Sequence, residues 1–209
     1  LEACLLLRLG KWKEAEQVLT SALTLRAENW DDWFYALRGV ARWKQNKRQE
    51  ALSDFERAYQ LDEGWWRLCA WANWRVGNWK RVREVLSEAA ENGREAAETI
   101  LTKGKRAVWL GIFAADAPQW LTKRWFEDAK VQGKWAVEVF CVPESQNETA
   151  LKDAIVFAIN GQPFASDRDF WHRLNELSRR AKVGETVTFS VWRRGKVEQV
   201  TVKFEPFFK

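Results

Sequence analysis

The run Ile155-Val-Phe-Ala-Ile-Asn-Gly-Gln-Pro-Phe164 decides the reading of this chain. Its opening apolar residues suit a strand buried on both faces, and Asn160-Gly161 supplies a pair that accepts the positive φ of a tight turn. Ser166, with Asp169 three residues on, predicts a capped helix. Along that helix Phe170, Leu174 and Leu177 recur at intervals that point into a core, whereas Asp167 and Trp171, four apart, share a different face. Glu185 to Phe204 then reads as a hairpin.

The first half carries a helical pattern. Gly10-Lys-Trp-Lys-Glu-Ala15 with Leu19 and Ala22-Leu23, Glu50-Ala51 with Phe55 and Ala58, and Gly77-Asn-Trp-Lys-Arg-Val82 with Leu86 and Ala89 repeat one motif. Their intervals bracket a period of roughly 34 residues. This half therefore resembles a tetratricopeptide repeat protein, with Lys44 where the inter-helix glycine is expected and Ala27 and Glu63 in place of the helix-ending proline. The resemblance implies that Trp33 and Trp66 pack against the small residues Ala22, Ala58 and Ala89. It also implies a concave, partner-binding face formed by Phe34, Arg38, Arg67, Trp71 and Trp74, since aromatics and arginines anchor peptides. An alternative reading covers Trp71 and Trp74 with the following helix, roughly 94–103, acting as a cap. Core filling accounts for most of the 15 tryptophans, Trp12 and Trp79 included.

The change of pattern near residue 105 predicts two domains, 1–104 and 105–209, in a chain of 209 residues. Most of the net charge of +5 falls in the second, where Arg179-Arg180 and Arg193-Arg194 sit at a helix end and a hairpin turn. No basic stripe runs along one helix, so no nucleic-acid partner is expected. Cys4, Cys69 and Cys141 lie far apart within apolar runs and read as unpaired thiols, with no metal site. No apolar run approaches the roughly 20 residues that span a bilayer, and no signal segment is recognisable. A chain without methionine that opens inside a helical pattern is expected to be a fragment or a processed product.

Ala158-Ile-Asn-Gly-Gln-Pro163 and Gly184-Glu-Thr-Val-Thr-Phe-Ser-Val-Trp-Arg-Arg-Gly-Lys196 resemble the PDZ domains of bacterial trypsin-like stress proteases, a likeness over most of 110–205. It implies an α+β, partly open β-barrel following the all-α repeats. Trp109-Leu110-Gly111-Ile112 matches the carboxylate-binding loop, where glycine lets successive amides converge. The resemblance implies that a peptide C-terminus adds as a strand beside 110–115, Phe113 included, with Lys105 adding positive charge. Asp167 and Trp171 would face it across the groove. An inserted segment, 116–134, carries Trp120, Leu121, Trp125 and Phe126 and could shield that groove.

Catalysis is not expected. The single histidine, His172, has no nucleophile elbow beside it, Asp31-Asp32 and Asp62-Glu63 read as helix-start residues, and no phosphate-binding glycine loop or cofactor motif occurs. The expected function is a non-enzymatic adaptor binding protein partners through the repeats and a C-terminal peptide through the second domain. The alternatives are the regulatory tail of a larger peptidase and a structural subunit of an assembly.

Overall fold

Small residues set the packing of the first half. Ala15, Ala51 and Ala58 are wholly buried, so that neighbouring helices approach closely. A computed structural model describes residues 2–25, 30–116, 135–152 and 154–208, the side chains of Lys105, Ala115 and Asp116 excepted. Its helices are α1 (Glu2–Arg8), α2 (Trp12–Thr24), α3 (Asp31–Lys44), α4 (Arg48–Leu61), α5 (Trp66–Arg75), α6 (Trp79–Glu91) and α7 (Glu95–Lys103). Each of α1 to α5 packs on the helix that follows it. The chain divides into two compact units, Leu1–Leu101 and Thr102–Lys209. The first is helical and the second β-rich.

Gly39 of α3 lies in close contact with α4. A Cβ there would lie 2.4 Å from Cε1 of Phe55, itself fully buried on α4. Helix α5 is buried on every side, from Leu68 through Trp74, and a helix apolar all round has no free face. Trp79, by contrast, is half exposed, so core filling does not explain it.

The β-rich unit holds β1 (Val108–Trp109), β2 (Ile112–Asp116), β3 (Val137–Cys141), the short α8 (Glu148–Leu151), β4 (Ile155–Ile159), β5 (Gln162–Pro163), α9 (Asp167–Arg180), β6 (Thr186–Arg193), β7 (Lys196–Lys203) and β8 (Glu205–Pro206). The main sheet runs β2-β3-β4-β6-β7, with β5 on β4 and all pairs antiparallel. Strands β1 and β8 form a separate pair that sets Trp109 opposite Glu205.

The expected local signals appear where the sequence places them. Every residue of β4 is buried, and Asn160 and Gly161 turn the chain with φ of 49° and 77°. Ser166 caps α9 by accepting the Asp169 N–H at 3.1 Å, while Asp169 accepts the Ala165 N–H at 2.9 Å. Partial burial would raise the Asp169 carboxyl, but the Arg173 guanidinium and the Ala165 N–H outweigh it and hold it below its ordinary range. Phe170 and Leu174 enter a core with Val156, Phe164, Phe189 and Val202, against which Trp171 and Leu177 pack half-buried. Burying a phenylalanine of this kind contributes about 2–3 kcal/mol.

Candidate functional site

Gly111 opens the edge strand with φ +65°, a left-handed conformation that L-side chains resist. Its neighbours give a second reason for glycine, because a Cβ at this position would meet Oε1 of Glu205 at 2.1 Å and Oγ of Ser145 at 2.6 Å. Both carbonyls flanking Gly111 are held from the same segment. Asn147 Nδ2 donates to the Leu110 oxygen at 2.9 Å, and the Val142 N–H donates to the Gly111 oxygen at 2.8 Å.

Because peptide groups are planar and here all trans, the N–H at the other end of each plane points the opposite way. Those are the N–H groups of Gly111 and Ile112. Two successive donors thus turn to the side away from 142–147, and such a pair forms a concavity suited to an anion.

The ladder carries the same orientation along β2. In an antiparallel pair the bonded residues alternate, so the Val142–Gly111 bond makes Phe113–Phe140 the next bonded pair and leaves Ile112–Cys141 and Ala114–Val139 unbonded. The backbone groups of Ile112 and Ala114 therefore face the outer edge of β2. Among the described residues no strand pairs with that edge. The inserted segment 116–134 lies, apart from Asp116, outside the described residues.

The expected groove residues take different places. The side chains of Leu110 and Ile112 enter the core beneath α9, and that of Trp109, buried, packs on Phe207 with ring centroids 4.7 Å apart. Phe113 is corrected: it stacks on Phe140 at 5.6 Å, and its backbone groups are committed to β3, so alternation removes it from the outer edge. Asp167 is exposed near the start of α9, and Trp171 lies half-buried against the core, edge-on to Phe170 at 5.2 Å. The Lys105 side chain is outside the described residues.

Sequence reasoning missed the polar cluster behind the loop. Buried Asn147 donates also to the Lys203 oxygen at 2.8 Å and accepts the Lys203 N–H at 2.9 Å. The Ser145 hydroxyl donates to Glu205 Oε1 at 2.7 Å and accepts the Asn147 N–H at 3.2 Å. These partners lie far apart in sequence, so no local motif announces them. Residues 142–151 are mostly polar, so Ser145 and Asn147 do not stand out among them.

In the helical unit the expected concave residues are largely internal. Arg38 is corrected first: its Nε and Nη2 grip the Asp54 carboxylate at 3.0 and 2.7 Å, and Asp54 is buried. Arg42 shares that carboxylate and also reaches Glu16 at 2.9 Å. Trp71 and Trp74 follow the covered of their two readings in being enclosed. Both are buried, Trp71 with its ring 4.8 Å from Trp43, because α5 is enclosed on every side. Phe34 is half-buried, and Arg67 lies over the Trp66 ring at 4.4 Å. Burial lowers the Arg67 guanidinium to about 9, leaving it charged at neutral pH.

His172 is exposed on α9, and no group of His, Cys, Asp or Glu among the described residues could hold a metal ion. Cys69 is buried, and desolvation, followed by Glu56, pushes its thiol well above the ordinary range. No helix among them is long and apolar enough to cross a membrane.

No protein-family profile matches this chain. No curated protein matches it either. Among solved structures it is similar to a variant of the HtrA-type protease AlgW with a decapeptide, at 17% identity and a TM-score of 0.38 over 56% of this chain and 34% of that one. AlgW with a decapeptide gives 15% identity and a TM-score of 0.37 over 54% and 33% of the two chains. AlgW with a tripeptide gives 18% and 0.36 over 54% and 36%. The chain spans about a third of the length of these proteins.

Proposed function

We propose that this chain is a non-enzymatic interaction adaptor whose β-rich unit is a PDZ-like domain binding the C-terminus of a partner protein. The partner's last residues add as a strand along the outer edge of β2. Its terminal carboxylate sits on the N–H groups of Gly111 and Ile112, and Ile112 and Ala114 provide the main-chain bonds. The observation that carries this reading is the pair of amides turned together at the start of a strand whose outer edge pairs with no described strand. The helical unit, built of tetratricopeptide-like pairs, serves chiefly as scaffold, because its candidate anchors Arg38, Trp71 and Trp74 are engaged or enclosed.

A random ten-residue peptide library offered to the full chain tests the reading, with each selected peptide resynthesised as the free acid and as the C-terminal amide. Charge-assisted hydrogen bonds contribute about 1.5–3 kcal/mol, so amidation is expected to weaken binding by roughly tenfold or more. Selected peptides with no C-terminal dependence would remove the carboxylate site.

A further inference from the structure

We infer that Asn147 is a positioning residue for the anion-binding amides, an inference that rests on the peptide-binding reading above. Its identity at the loop is fixed by its partners. The Lys203 N–H can only donate, so the atom facing it at 2.9 Å is the Asn147 carbonyl oxygen. The NH2 group therefore faces the Leu110 and Lys203 carbonyls, at 2.9 and 2.8 Å. Asparagine alone among side chains of this size both donates to two carbonyls and accepts from an N–H.

The consequence for a ligand runs through one peptide group. The Leu110 carbonyl and the Gly111 N–H are two ends of the same plane, so the bond from Asn147 sets the direction in which that N–H points. It also polarises the plane, since hydrogen bonds in series strengthen one another. The Ile112 N–H is set independently by the Val142–Gly111 bond. Loss of Asn147 thus releases one of the two donors while β2 and β3 stay paired. Val142, Ser145 and Asn147 all lie in the segment between β3 and β4, which makes that segment the back wall of the site although it touches no ligand.

Asn147→Ala removes the donation to Leu110 without setting a charge behind the amides, as an aspartate facing the Leu110 and Lys203 carbonyls would. The probe is the tightest free-acid peptide recovered by the full wild-type chain, together with its amide. Asn147→Ala is expected to lower the free-acid to amide affinity ratio at least about fivefold in the folded protein, beyond any loss common to both peptides. Equal weakening of both peptides means a merely structural role and overturns the inference, and so does an unchanged ratio. Should the variant fail to fold, amide NMR of the wild-type chain decides. The Asn147 side-chain NH2 resonances are expected to move together with the Gly111 N–H on adding the free acid and not the amide, and stationary resonances overturn the inference. Binding of neither peptide by the wild type overturns the peptide-binding reading as well.

Discussion

Gly111 and Glu205 leave no room for a side chain between them: a Cβ on Gly111 would lie 2.1 Å from Glu205 Oε1. The buried carboxylate, bonded to Ser145, sits directly behind the loop whose amides face outward. Gly111→Ala therefore combines an unfavourable left-handed φ with a clash against a fixed group. A loss on the order of 3 kcal/mol in chemical denaturation is expected. Gly161 provides the control, since its φ is +77° but nothing lies within 4 Å of a Cβ there. Gly161→Ala should lose only about 1–2 kcal/mol, and equal losses at the two positions would remove the clash.

At Gly39 two effects oppose each other. Alanine is the better helix former by about 1 kcal/mol, yet its Cβ would meet the Phe55 ring at 2.4 Å. Overpacking of about 1–3 kcal/mol is expected to win. Gly39→Ala should lower the melting temperature, and a rise would show that α3 and α4 adjust freely.

Enclosure of α5 leads to a comparison among tryptophans. Trp66→Ala, Trp71→Ala and Trp74→Ala remove buried rings and should each destabilise by about 3–5 kcal/mol. Trp79→Ala, at a half-exposed position, should change stability by about 1 kcal/mol or less. Stable variants at 71 and 74 that lose partner capture would restore a concave binding face.

Acid sensitivity of the helical unit should centre on Glu16. Desolvation alone would raise its carboxyl, but hydrogen bonds from Lys47, Arg42 and Gln45 prevail and bring it from 4.5 to about 2. A folded value below the unfolded one means that the stabilisation is present above about pH 4.5 and is lost as pH falls toward 2. The full effect is on the order of 3 kcal/mol. Glu16→Gln should flatten the decline in melting temperature between these limits, and an unchanged decline would assign it to other carboxylates.

Much of the β-rich unit was legible because its signals are local. The Asn160-Gly161 turn, the Ser166 cap and the apolar run of β4 each depend on residues within a few positions. Gly111 was legible as a turn-forming residue, but its crowding by Glu205 and Ser145 was not, since those contacts close loops of many residues. The same holds for Asn147 with Leu110 and Lys203, and for Arg38 with Asp54 across two helices. Phe113 was misplaced for a different reason. Strand alternation decides which residues face an edge, and one ladder bond, from Val142 to Gly111, fixes that phase. For Trp71 and Trp74 repeat position left a concave surface and a covered site both open, because the enclosure of α5 depends on tertiary packing.

Residue-resolved amide hydrogen exchange, with and without a selected free-acid peptide, tests strand addition at β2 most directly. Protection is expected to rise at Gly111, Ile112 and Ala114 and to stay unchanged at Phe113, whose N–H already faces β3. Protection gained uniformly along β2, or confined to residues 2–101, would contradict the binding mode.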